Sequence, residues 1–217
     1  MPPTLLLDLD GTLVDSVPDL LAALDRLLVP LGAAPFGRAE VTAMVGDGVP
    51  ALVSRAFAAR AMPQPPAAAD AFLADYTPRA AELTRPFPGI LPMLDALRGA
   101  GWRLAVCTNK PEAPARALLD SLGIAPLLAA IGGGDSFPVK KPDPRHLLAT
   151  LEAAGGGADA AVMLGDHAND VESARGAGIP AIFAGWGYGP RDMAAGAPIA
   201  ATPAAVPGLG ADLLTAR

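Results

Sequence analysis

The chain has 217 residues, 52% of them apolar and 18% charged, enough to bury a sizeable core and too apolar for an intrinsically disordered protein. Sixteen basic residues against 22 acidic ones give a net charge of −6, which argues against nucleic acid or an anionic membrane surface as a partner. A single cysteine, Cys107, excludes an intramolecular disulfide and a cysteine-based zinc site.

The first predicted element is a strand in residues 4–10, TLLLDLD, where leucine at both parities implies burial on both faces, the habit of a parallel sheet. No basic stretch precedes Asp8, so no secretory leader is expected and the reading is a soluble, cytoplasmic protein. From Ser16 to Pro86 no strand pattern appears. Val17, Leu20, Leu21, Leu24, Leu27, Leu28 and Leu31 keep a helical period, with Ser16 in position to cap the helix. Residues 49–62 and 67–83 read as further helices, so this segment predicts a small helical bundle inserted after the first strand.

Beyond the insertion, residues 104–107, 161–164 and 179–183 are short apolar strands. Helical spacing that ends near a glycine precedes each, in residues 93–99, 146–155 and 171–178. Weaker strands are expected at 127–131 and 198–200. Residues 193–211 are uncharged but carry Pro198, Pro203 and Pro207, so no membrane-spanning helix is expected there. Strand alternating with helix predicts an α/β fold, an open parallel sheet with right-handed crossovers.

Polar groups gather at four strand ends, all C-terminal, where open α/β sheets bind their ligands. Asp8-Leu9-Asp10-Gly11-Thr12 puts two carboxylates two residues apart on one face of a strand, and a divalent cation relieves such repulsion. For this composition the pattern D-x-D-G-T arises by chance in about 3 of 100,000 windows, so a plain surface turn is the weaker reading. Thr108-Asn109-Lys110 follows a strand and suits a phosphate oxygen, though a threonine cap on a strand-to-helix turn fits equally well. Lys140 and Lys141, two of only three lysines, precede Pro142 and read either as a site or as a solvated pair. Asp166 and Asp170, in Gly165-Asp-His-Ala-Asn-Asp170, come together if a helix starts there, with an N-cap aspartate as the alternative. His146 is expected on a helix surface, Cys107 as a small core filler, and Trp186 and Tyr188 either at the rim of the site or as anchors of a glycine-rich loop.

In order, these stretches resemble the haloacid dehalogenase superfamily, with its DxDGT, threonine, lysine and GDxxxD motifs and a helical cap between the first two. The likeness spans nearly the whole chain and is greatest to the phosphoglycolate phosphatase branch. It is carried by DLDGTLVDS (8–16), VGDG (45–48), FPG (87–89), TNKP (108–111), IGGGDS (131–136), KKPDP (140–144) and GDHAND (165–170). The resemblance implies a Rossmann-like core, residues 1–15 and 87–217, with an all-helical cap, residues 16–86.

It further implies a Mg²⁺-dependent phosphatase acting through an aspartyl-phosphate on a small phosphorylated metabolite, 2-phosphoglycolate foremost. Asp8 would be the nucleophile and Asp10 the acid and base. Mg²⁺ would be held by Asp8, the main-chain carbonyl of Asp10 and Asp166, with Asp170 orienting its water shell or Lys141. Thr108 and the amide of Asn109 would bind the transferring oxygens, Lys141 would neutralise charge, and Gly46-Asp47-Gly48 would face the site from the cap. In the pattern of the family that the chain resembles, the position of Asp47 is associated with Asn. Asp10 argues against dehalogenation, and the lack of lysine between 16 and 86 against a Schiff-base phosphonoacetaldehyde hydrolase. Phosphatases for sugar phosphates, N-acetylmuramate 6-phosphate or pyrophosphate, a β-phosphoglucomutase-like enzyme and, more distantly, a non-catalytic ligand-binding module are the alternatives.

Overall fold

The computed structural model describes residues 1–216. Its centre is a six-stranded, all-parallel sheet. In chain order the elements are β1 (Thr4–Leu7), β2 (Val14–Asp15), α1 (Val17–Leu28), α2 (Arg38–Thr42), α3 (Val49–Ala59), α4 (Ala68–Tyr76) and β3 (Arg85–Pro86). There follow α5 (Ile90–Gly99), β4 (Arg103–Cys107), α6 (Glu112–Ser121), β5 (Ala130–Gly132), α7 (Pro144–Ala153), β6 (Ala161–Gly165), α8 (Ala168–Gly176), β7 (Ala181–Ala184), β8 (Ile199–Ala200) and α9 (Val206–Thr215). The strands lie in the order β5-β4-β1-β6-β7-β8. β1 is therefore the point where the winding reverses, and the crevice above its C-terminal end is the natural ligand site.

The double-sided burial of β1 follows its leucine run. Leu5 and Leu7 join a cluster with Leu94, Leu97, Leu118 and Val206 on one side, while Leu6 packs with Leu147, Leu151 and Ala174 on the other. Helices thus cover both faces, which completes the α/β fold. The first cluster continues without a break into the helical insertion through Leu20, Leu24, Val53, Phe57 and Phe72. Each such side chain contributes roughly 1.5–3 kcal/mol by burial.

Both ends of the insertion are pinned together. β2 and β3 pair antiparallel, Val14 opposite Pro86 and Asp15 opposite Arg85, and the N–H of Phe87 donates to the carbonyl of Leu13 at 3.1 Å. Buried Asp19 on α1 accepts from the N–H groups of Leu83 and Thr84 and from the Thr84 hydroxyl, so the outgoing and returning chain share one carboxylate. Among the described residues, no helix is long and apolar enough to cross a membrane.

Several elements differ from expectation. Ser16 precedes α1, but its hydroxyl is buried without a partner. The phenol oxygen of Tyr188 accepts the N–H groups of Ser16 and Val17 instead, at 2.8 and 3.2 Å. α3 and α4 stop earlier than periodicity suggested, before the turns that carry Pro63 and Pro78. α6 was hidden by Pro114, which sits in the first turn, where N–H groups need no partner within the helix. The weak strand at 127–131 is β5, shifted toward Gly132. His146 is not on a surface. It is fully buried, its Nε2–H donates to the Gly133 carbonyl at 2.9 Å, and the Cys107 thiol donates to Nδ1 at 3.3 Å. Burial pushes that thiol up to about 12, so Cys107 is a neutral filler with one donor.

Candidate active site

Three carboxylates meet above β1. Asp8 follows β1, Asp166 follows β6, and Asp170 lies in the first turn of α8. All are buried, and each offers an oxygen within 4.8 Å of the others. α8 brings Asp170 back alongside through its cap: the His167 N–H donates to Asp170 Oδ2 at 3.0 Å, and the His167 ring accepts the Asn169 N–H. Gly165 and Gly187 have no Cβ where one would strike Asp170 and Asp166, which lets the chain pass this close.

Lys141 answers the cluster from the loop between β5 and α7. Its buried ammonium donates to Asp170 Oδ1 at 2.5 Å and lies 2.9 Å from Asp8 Oδ1. Burial alone would lower the lysine, but Asp170 and Asp8 outweigh it and hold the ammonium charged, above its ordinary value. Asp166 is held by the Thr12 hydroxyl at 2.7 Å on one oxygen and the Tyr188 N–H at 2.8 Å on the other. Burial, aided by the charge on Asp8, pushes Asp166 and Asp170 up to about 7. Of the six oxygens in the cluster, only Asp8 Oδ2 has neither a hydrogen-bond donor nor an ion-pair partner among the described residues. Three buried carboxylates against one ammonium form a hard-oxygen donor set with negative charge to spare, and such a set fits a divalent cation.

Asp10 stands apart from that cluster. Its carboxylate is gripped by Lys110, whose Nζ donates to both oxygens at 3.0 Å. What Asp10 can offer a cation is its main-chain carbonyl. Gly11 turns the chain after it with φ of 88°, where a Cβ would collide with Asp166 and Tyr188. Thr108 ends β4, and its hydroxyl accepts the Lys110 N–H at 3.2 Å. The amides of Leu9, Asp10 and Asn109 have no acceptor among the described residues, a set of donors suited to anionic oxygens.

The turn 46–48 of the insertion is seated on these strand ends. Asn109 Nδ2 donates to the Gly46 carbonyl and to the Lys141 carbonyl, both at 3.0 Å. Asn169 Nδ2 donates to Asp47 Oδ1 at 2.8 Å, Lys140 Nζ donates to the Asp47 carbonyl at 2.7 Å, and Arg55 pairs with the Asp47 carboxylate. Gly46 lies against the His167 ring, with no room for a Cβ. A cavity of about 30 Å³ remains between the two layers. It is lined by Asp8, Asp10, Thr108, Asn109 and Lys110 below and by Leu20, Val45, Gly46, Gly48, Val49 and Leu52 above.

The structure thus brings Asp8, Asp10, Thr108, Asn109, Lys141, Asp166 and Asp170 to one crevice, with Gly46, Asp47 and Gly48 over it. Sequence reading named Lys110 beside Thr108 but gave it no role, although its rarity could have marked it. It also left open the work of the glycine-rich loop 185–189. There Trp186 donates to the Thr12 carbonyl at 3.0 Å, and Tyr188 links Asp166 to Asp15 and to the start of α1.

Comparison with known proteins agrees with this geometry. The profile of the haloacid dehalogenase-like hydrolases matches residues 2–178. The chain is 44% identical over 202 residues to the phosphoglycolate phosphatase of Rhodospirillum rubrum, covering 89% of this chain and 84% of that one. It is 43% identical over 190 residues to that of Agrobacterium fabrum, covering 86% and 82%. A crystal structure named as a predicted phosphoglycolate phosphatase from Haemophilus somnus superposes with a TM-score of 0.87 at 26% identity, over 96% of this chain and 97% of that one. On sequence and on fold, this chain belongs to the haloacid dehalogenase-like hydrolase family.

Proposed function

We propose that this protein is a Mg²⁺-dependent phosphatase that hydrolyses a small phosphomonoester through an aspartyl-phosphate, with 2-phosphoglycolate, the compound in its relatives' names, as the substrate. The observation that carries the reading is the lone unengaged oxygen, Asp8 Oδ2, in a buried carboxylate cluster at the reversal point of the sheet. Asp8, Asp166 and the Asp10 carbonyl would hold the cation, with Asp170 positioning Lys141. Bound there, Mg²⁺ supplies positive charge that lets an anionic carboxylate approach an anionic phosphate.

In the first step Asp8 Oδ2 bonds to phosphorus, the ester P–O bond breaks, and the leaving oxygen keeps the electron pair and takes a proton from Asp10. In the second, Asp10 takes a proton from water, whose oxygen bonds to phosphorus as the aspartyl P–O bond breaks and Asp8 is restored. Thr108, the free amides of Leu9 and Asn109, and Lys141 hold the transferring oxygens. Residues 1–15 and 87–217 form the catalytic core, and residues 16–86 form a cap whose turn Gly46-Asp47-Gly48 closes over the reaction and excludes water.

The test is phosphate release from 2-phosphoglycolate, sugar phosphates, N-acetylmuramate 6-phosphate and pyrophosphate, with and without Mg²⁺, alongside Asp8→Asn. A dominant, Mg²⁺-dependent rate on 2-phosphoglycolate that the variant abolishes is expected. Release from other esters only would keep the chemistry and overturn the substrate, and release from none would overturn both.

A further inference from the structure

One buried lysine holds Asp10 and takes no other part in the core chemistry. Lys110 is 2% exposed and is the only cation among the residues that line the cavity. Asp10 occupies two of its three N–H bonds. On its other side lies the ring of Tyr76, from α4 of the insertion, with its centroid 4.7 Å from Nζ. The Tyr76 hydroxyl is fully buried beside that ammonium, and its own proton finds no acceptor among the described residues. A buried polar group left unpaired costs about 1–3 kcal/mol. Core and insertion therefore meet at a spot rich in donors and short of acceptors, in direct contact with Asp10.

The rest of the cavity narrows what could satisfy that spot. Its upper lining is Leu20, Val45, Val49 and Leu52 with two glycines. Those side chains offer no partner to the hydroxyls of a sugar, so hydroxyls turned toward that roof would be buried unpaired. A compact leaving group with a single charged acceptor meets an apolar roof there, and Lys110 is the one cation among the lining residues. We propose that Lys110, with the Tyr76 hydroxyl beside it, is the counter-charge for a carboxylate on the leaving group. On this assignment the chain selects small phosphomonoesters that carry an anion one carbon beyond the ester oxygen. The inference rests on the reading of Asp10 as the residue facing that oxygen. The incoming carboxylate shares the ammonium with Asp10 and accepts from the Tyr76 hydroxyl, so specificity is set by a core lysine and a phenol of the insertion together.

The experiment compares 2-phosphoglycolate with ethyl phosphate, which lacks the carboxylate, in wild type, Lys110→Met and Tyr76→Phe. Calorimetric binding of glycolate is measured in parallel. In Lys110→Met both rates fall, because Asp10 loses its partner. The ratio of kcat/KM for phosphoglycolate to that for ethyl phosphate is expected to drop by about 30-fold, the scale of a charge-assisted hydrogen bond lost at a buried site. Glycolate binding should disappear with it. An unchanged ratio with glycolate still bound would overturn the assignment and leave Lys110 as a holder of Asp10. If Lys110→Met does not fold, Tyr76→Phe carries the test, with a fall in the ratio of about threefold or more expected and no change overturning it. If wild type releases phosphate from neither ester, the phosphatase reading fails, while glycolate binding to wild type and loss of it in Lys110→Met would still uphold the carboxylate site.

Discussion

The floor of the crevice and its wall bury a lysine each, with opposite charge balance. On the floor, one ammonium, Lys141, answers three buried carboxylates, Asp8, Asp166 and Asp170, and touches two of them. On the wall, Lys110 faces Asp10 alone, and the pair is neutral. Burying like charges is unfavourable unless a counter-ion arrives, so the floor is built to gain a divalent cation. The wall needs none, and whatever binds there must compete for an ammonium already in use. On the proposals above, one lysine serves the reaction and the other the choice of substrate.

The comparison breaks most completely at Asp166. Asp166→Asn removes one charge from the floor, and turnover should fall by roughly a thousandfold, because a divalent ion supplies several kcal/mol of charge stabilisation. The Mg²⁺-induced rise in melting temperature should vanish in the same variant, which a thermal melt with and without Mg²⁺ checks.

A pH series sharpens the same contrast. Asp166 and Asp170 sit at about 7 in the folded chain against an ordinary value of 3.8. Between those values the folded chain binds more protons than the unfolded one, so their contribution to stability falls as pH rises from about 4 to about 7. His146 and His167, pushed down by burial, act in the opposite sense just below their ordinary value of 6.5. The readout is therefore the melting temperature with Mg²⁺ minus that with chelator, in which the histidine contribution is common to both. That difference should be larger at pH 8 than at pH 5 by about 4 °C or more.

The smallest expected effect concerns the strut between site and insertion. Tyr188→Phe keeps the N–H that holds Asp166 but loses the phenol oxygen that serves Ser16, Val17 and Asp15. A loss of about 1–2 kcal/mol of stability is expected. Hydrogen exchange at the Ser16 and Val17 amides should quicken, with Mg²⁺ affinity within about threefold of wild type, since Asp166 keeps all its hydrogen-bond donors.

What was legible in the sequence follows from how local each signal is. Asp8 and Asp10 sit two residues apart behind a leucine strand, and Asp166 and Asp170 one helical turn apart, so chain geometry alone relates them. The parallel sheet was legible because both parities of residues 4–7 are apolar. The Lys110–Asp10 pair joins positions 100 residues apart, and Tyr188 reaches Ser16 across 172. Nothing in composition relates such residues. The seating of the turn 46–48 was hidden for another reason: Asn109 and Lys140 reach the main-chain carbonyls of Gly46 and Asp47, atoms that every residue possesses.

The cavity above Asp8 has a kinetic consequence. The Gly46–Gly48 turn forms part of its roof and is tied to the strand ends through Asn109, Asn169 and Lys140. If substrate enters beneath that turn, as the proposed function has it, these contacts break and re-form in each turnover. Each catalytic cycle then includes at least one opening and one closing stroke. Solvent viscosity, acting on those strokes and not on bond cleavage, would set the ceiling on turnover.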